Sequence, residues 1–115
     1  MGGGHLLTKI TFFERFEQDI LSGAKTITLR DEAESHVFAG QILPVSTFEA
    51  DRWFCDIKVI EVVPVLFSAL TEQHAAQENM TLPELRRVIQ EIYPGLEQLF
   101  QIRFCVVNTR AHSIN

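Results

Sequence analysis

The chain has two cysteines, four prolines and one tryptophan among its 115 residues, and each scarcity excludes something. Two cysteines cannot build a disulfide scaffold, so stability must come from an apolar core. No apolar run approaches the ~18–20 residues of a membrane-crossing helix. Internal repeats and low-complexity tracts are lacking, which excludes fibres and solenoids. Positive charge is short as well: ten Lys+Arg face fifteen Asp+Glu, a net charge of −5. A protein whose main task is gripping long phosphate backbones carries the opposite balance. What is present suits folding. With 46% hydrophobic and 22% charged residues, the chain reads as globular and of one-domain length.

Residues 1–9, opening Met1-Gly2-Gly3-Gly4-His5, have no basic or long apolar segment of an export signal and read as a flexible tail. Residues 108–115 are polar after an apolar stretch and read as a second tail. One domain is expected over 10–107, in a reduced, cytoplasmic setting away from membranes.

Within it, 11–22 reads as a first helix, with Thr11 and Glu14 as a capping box, Phe12, Phe16 and Ile20 as the apolar stripe, and Gly23 as the stop. Lys25 to Arg30 reads as a strand with Thr26, Thr28 and Arg30 on one face and Ile27 and Leu29 on the other. A polar loop follows over 31–40. A second strand spans 41–48, with Pro44 marking an edge or bulge. A turn at 49–51 leads to a third strand over 52–63, with Trp53, Cys55, Ile57 and Val59 sharing a face. Helices are expected over 68–79 and 81–93, the latter capped by Thr81 and Glu84. A last strand spans 98–107. The order does not alternate strand and helix, so a doubly wound sheet is excluded. The expectation is an α+β domain: a small mixed β-barrel with about three helices at its ends.

The segments Ile10-Thr11-Phe12-Phe13-Glu14-Arg15-Phe16, Gly23-Ala24-Lys25-Thr26-Ile27-Thr28-Leu29-Arg30-Asp31 and His74-Ala75-Ala76-Gln77-Glu78-Asn79-Met80-Thr81-Leu82, with Glu34-Ser35-His36 and Phe54-Cys55, resemble a small bacterial ASCH domain. Among these, the chain is most similar to the N4-acetylcytidine amidohydrolases, over roughly residues 10–107. The resemblance implies a PUA-like barrel and hydrolysis of the acetyl amide on the exocyclic nitrogen of cytidine, giving cytidine and acetate without a metal or other cofactor. It also implies roles: Thr28 as nucleophile, Lys25 as proton acceptor and Glu78 as proton donor. Arg30 matches as well and is expected to bind substrate or tune the lysine. The implied partner is a small nucleoside, with RNA less favoured, and the oligomeric state stays open.

The residue types suit that chemistry. A threonine hydroxyl needs a base to remove its proton, and a lysine serves only when neutral. Bringing a lysine from ~10.4 to ~7–8 requires burial or a nearby cation such as Arg30. One geometric difficulty stands: positions 25 and 28 are an odd number apart and fall on opposite faces of a regular strand. The implied roles require the two to meet, which needs either Lys25 in the turn after Gly23 or a bulge in the strand; the expectation is that regular extension starts near Thr26, leaving Lys25 free to curl over. Leu70, His74 and Glu78 recur every four residues, which places them on one helix face and makes His74 a candidate substrate contact. Apolar surroundings for Glu78 would raise its pKa and keep a fraction protonated. Phe13, Phe38, Trp53, Phe54 and Tyr93 are candidate platforms for a base.

Taken singly, these features are ordinary. Lys-Thr-Ile-Thr-x-Arg is an alternating strand, Glu78 a solvated helix residue, and Asp31, Glu32, Glu34 and His36 a solvated loop with no compact metal-ligand spacing. Cys55 and Cys105 read as small core residues rather than nucleophiles. The rival functions are an RNA-binding PUA-like module, with a local patch from Lys25, Arg30, Lys58 and Arg103, and an ASCH ribonuclease.

Overall fold

A computed structural model describes residues 5–109; the expectations for 1–4 and 110–115 lie outside the described residues. Five strands and three helices run in the order β1 (Ile10–Phe12), α1 (Glu17–Ser22), β2 (Ile27–Arg30), β3 (Ile42–Thr47), β4 (Trp53–Leu66), α2 (Glu72–Gln77), α3 (Leu82–Ile92) and β5 (Gln98–Thr109). The strands form one sheet in the order β1-β3-β4-β5-β2. β1 runs parallel to β3, and the other neighbours are antiparallel. The sheet curls into a half-barrel, the mixed α+β architecture expected. Its edge strands are tied by one side chain: Arg30, at the end of β2, donates from Nη2 to the Thr11 carbonyl of β1 at 2.8 Å.

The largest departure from expectation lies at 11–22. Ile10, Thr11 and Phe12 are β-branched or aromatic, and they extend to pair with Val45, Ser46 and Thr47 of β3. The Thr11–Glu14 pattern is therefore no capping box; the Glu14 amide donates to the Glu49 carboxylate at 2.8 Å. A 3-10 turn over Glu14–Phe16 precedes α1, which stops at Gly23 as expected, with φ +84°. The helix expected over 68–79 is likewise shorter. A 3-10 turn at Phe67–Ala69 and an extended Leu70 precede α2. α3 starts as read, with Thr81 and Glu84 exchanging cap hydrogen bonds.

Two apolar clusters hold the domain. Inside the curl, Ile10, Phe12, Ile20, Leu43, Val45, Cys55, Ile57, Val59, Ile102 and Phe104 form an apolar core. Outside it, Leu29 and Leu99 pack against Leu70, Ala75, Leu85 and Ile89 of the helical segments. Cys55 is buried as expected, but Cys105 is exposed because it stands on the outward face of β5. Pro44 sits where β3 has lost β1 as a neighbour, since pairing begins at Val45, and a bulge follows between Val45 and Ser46. β5 continues to Thr109, opposite Cys55, beyond the expected end at 107. Residues before 10 are held too: the Leu7 amide donates to the His36 carbonyl at 2.9 Å.

Candidate active site

The backbone between α1 and β2 takes Lys25 out of the strand, as expected. The Lys25 amide donates to the Asp19 carbonyl at 2.9 Å, prolonging the helix turn. β2 begins only at Ile27, so Lys25 belongs to the loop and its side chain curls back to donate to the Ile27 carbonyl at 2.9 Å. One further backbone bond matters: the Thr26 amide donates to the Gln77 carbonyl at 2.8 Å. It fastens the loop carrying Lys25 to the end of α2, where Glu78 is the C-terminal cap. Asn79 follows in the left-handed conformation at φ +60°, which asparagine tolerates, and turns the chain away so that Glu78 points inward.

Lys25 Nζ and Glu78 Oε1 form a short buried ion pair, with the two residues 4% and 5% exposed. The Lys25 ammonium also lies over the rings of Phe12 and Phe16, 5.5 and 5.3 Å from their centres. Burial pulls the Lys25 pKa below its ordinary 10.5. The Glu78 carboxylate opposes that shift by its charge and hydrogen bond, while the Arg30 cation adds to it.

Thr28 is 4% exposed. Its hydroxyl oxygen accepts from Arg30 Nε at 2.8 Å. That arrangement leaves the hydroxyl proton available to a base. Among the described residues, no hydrogen bond joins Lys25 to Thr28. Arg30 is held from three sides: by Thr28, by the Thr11 carbonyl, and by Glu34 Oε1 at 3.3 Å from Nη1. Its guanidinium lies 4.8 Å from the centre of the Phe12 ring. Glu34 Oε1 also accepts from the Tyr93 hydroxyl at 2.6 Å, so the wall from β2 to α3 is continuous. Burial, and then the bond to Glu34, push the Tyr93 phenol upward, so it stays a donor at neutral pH.

Lys25, Thr28, Arg30 and Glu78 open into one cavity of about 240 Å³. It is smaller than the ~300–1,000 Å³ of drug-sized sites and suits a ligand of few rings. The polar groups occupy one side. Phe12, Phe13, Phe16, Phe48, Met80, Ile89 and Tyr93 supply much of the apolar lining. Of the platforms read from sequence, Phe13 and Tyr93 line this cavity, whereas Phe38, Trp53 and Phe54 do not. Phe12, Phe16 and Phe48 were not legible as site residues, because their positions depend on β1 pairing with a strand more than thirty residues away.

His74 is not in the cavity lining. The four-residue spacing holds from His74 to Glu78, whose amide donates to the His74 carbonyl at 3.1 Å, but Leu70 is extended and lies outside α2. His74 Nδ1 instead accepts the Thr71 amide at 3.0 Å and caps the helix start. The acidic loop is committed to local work: Asp31 accepts the Glu34 amide at 3.1 Å, and Glu34 serves Arg30 and Tyr93. Among the described residues, no three His, Cys, Asp or Glu side chains gather where they could hold a metal ion. Burial pushes the Cys55 thiol up to about 12, so it remains protonated and unreactive. No helix of the described residues is long and apolar enough to cross a membrane.

No protein-family model matches the chain. The N(4)-acetylcytidine amidohydrolase of Shewanella sp. (strain ANA-3) is 96% identical over 110 residues, covering 96% of this chain and 100% of that relative. The protein of the same name from Shewanella baltica (strain OS185) is 78% identical over 103 residues, covering 90% and 98%. Among solved structures, an ASCH domain from Lactobacillus crispatus JV V101 superposes with a TM-score of 0.73 at 15% identity, covering 90% of this chain and 82% of that one. A protein from Enterococcus faecalis V583 superposes with a TM-score of 0.70 at 21% identity, covering 96% and 87%. At those identities the structural likenesses speak to the fold alone.

Proposed function

The chain belongs to the N(4)-acetylcytidine amidohydrolase family, and from that premise we propose that it hydrolyses N4-acetylcytidine to cytidine and acetate, with Thr28 as nucleophile, Lys25 as base and Glu78 as acid. The observation that carries the assignment of roles is the buried meeting of Lys25 and Glu78, 53 positions apart, in the cavity that Thr28 also lines.

The pair supplies both proton transfers from a single shared proton. As an ion pair it holds that proton on Lys25; shifted within the pair, the proton sits on Glu78 and leaves Lys25 neutral. Burial favours the neutral form of Lys25. Neutral Lys25 then accepts the Thr28 proton as Thr28 Oγ1 bonds to the acetyl carbon. As that bond forms the acetyl C=O π bond opens and its oxygen takes the negative charge, with the Arg30 cation, which donates to Thr28 Oγ1, beside the reacting centre. Glu78 gives its proton to N4 as the C–N bond breaks, and cytidine leaves. The pair is now ionic again. For the second half, the Glu78 carboxylate takes a proton from water as the water oxygen bonds to the acetyl carbon. Lys25 returns its proton to the departing Thr28 oxygen, and acetic acid leaves and ionises to acetate in water. Each half-reaction restores the state the other needs, so no outside acid, base or metal enters the scheme.

The test is incubation of the protein with N4-acetylcytidine, with and without chelator, and chromatography of the products. Cytidine and acetate should appear in equal amounts in both arms, and Lys25→Ala should stop their release while the protein stays folded. Undiminished release by that variant overturns the roles. RNA cleavage or salt-dependent RNA binding without acetate release supports the rival readings instead.

A further inference from the structure

Resting on that reading, we infer that Phe48, at the cavity mouth, is the residue that stacks on the cytosine ring and selects a planar base. The polar groups lie deep: Lys25, Thr28 and Glu78 are each at most 5% exposed, and the scissile amide must reach them. N4 hangs directly on the pyrimidine ring, so the ring must extend from that floor toward the opening. At the opening stands Phe48, 65% exposed yet part of the cavity lining. Ile89 and Ile92 of α3 line the cavity too, so apolar side chains from the strand end and from the helix both border the space the ring must occupy.

Phe48 is presented rather than merely exposed. Its amide donates to the Phe12 carbonyl at 2.7 Å, prolonging the β1–β3 pairing by one residue. Its ring meets that of Phe13 edge to face, with centres 5.3 Å apart. The following loop is fastened by Glu49, whose carboxylate accepts the Glu14 amide at 2.8 Å. A fixed aromatic face at the rim of a polar floor is what a nucleobase recognises, and stacking of this kind is sequence-tolerant toward bases but intolerant of non-planar replacements.

The test compares steady-state deacetylation of N4-acetylcytidine by wild type, Phe48→Ala, Phe48→Leu and Phe48→Trp. Phe38→Ala serves as the control, since Phe38 is 51% exposed and outside the cavity. Phe48→Ala and Phe48→Leu should raise KM about ten-fold or more with kcat changed far less, and Phe48→Trp should hold KM near wild type. The control should leave both constants alone. Wild-type KM in Phe48→Ala overturns the inference, and so does full rescue by Phe48→Leu, which shows bulk rather than planarity to matter. A binding arm stands apart from catalysis. With Trp53 replaced by Phe, the fluorescence of Phe48→Trp should be quenched by cytidine and not by ribose. Quenching without any deacetylation overturns the proposed reaction but supports the base platform; no quenching by cytidine overturns the platform.

Discussion

The two sides of the β1–β2 seam solve opposite problems. Within the curl, Ile10, Leu43, Val45, Ile57, Val59 and Ile102 are buried with apolar neighbours and need no partner beyond close packing. At the seam, equally buried positions carry Lys25, Thr28 and Glu78, and each needs a specific hydrogen bond to be tolerated. No buried polar side-chain atom among the described residues is left without a partner. The difference teaches that the seam holds buried polar groups at a cost in stability that the curl does not bear.

The comparison breaks most sharply at Thr28. Thr28→Ala should lower kcat by about 10⁴–10⁶-fold while leaving the fold intact, and Thr28→Ser should restore part of it, since a primary hydroxyl still attacks. Steady-state assay with a melting curve of each variant checks both halves. Next comes the pair. Lys25→Met or Glu78→Gln alone should reduce turnover about 10²–10⁴-fold, and Lys25→Met should also cost roughly 3–5 kcal/mol by stranding a buried carboxylate. Lys25→Met combined with Glu78→Leu should be inactive yet as stable as wild type or more so, whereas Ile57→Ala in the core should cost about 2–5 kcal/mol. Denaturant titration orders these; a double variant less stable than either single one contradicts the seam's assigned cost.

A smaller effect follows from the lowered Lys25 pKa. Between that folded-state value and the ordinary 10.5, the unfolded chain binds more protons at this group than the folded protein. Its contribution to stability therefore rises with pH across that window, and the penalty is complete below the folded-state value. Lys25→Met should lack this rise in a series of denaturant titrations. Smallest of all is the exposed Lys9–Asp51 pair, where Lys9→Ala should leave the melting temperature within error and high salt should not matter.

Local signals in the sequence carried local structure well. Gly23 stops α1, Thr81 and Glu84 cap α3, and the alternation of 98–107 marks β5. Lys25 leaving the strand was legible from the odd spacing to Thr28 only once the family resemblance required the two to meet, and the backbone bond to Asp19 supplies the reason. Non-local pairing was not legible. Nothing in Ile10-Thr11-Phe12 announces its partner in β3, and a chance Thr–Glu spacing imitated a helix cap. Glu78 came to notice through family resemblance. Its helical periodicity pointed also to His74, which the short α2 turns to capping. Phe48 gave no signal, because an exposed aromatic after a strand becomes a rim only once β1 lies beside it.

The dependence of kcat/KM on pH with N4-acetylcytidine reads the shared proton most directly. The scheme predicts a bell: rates fall on the acid side, where the Lys25–Glu78 pair holds two protons, and on the alkaline side, where it holds none. The alkaline limb lies below 10.5. A rate that is flat across the range, or still climbing beyond 10.5, would contradict a single proton passed between these two side chains.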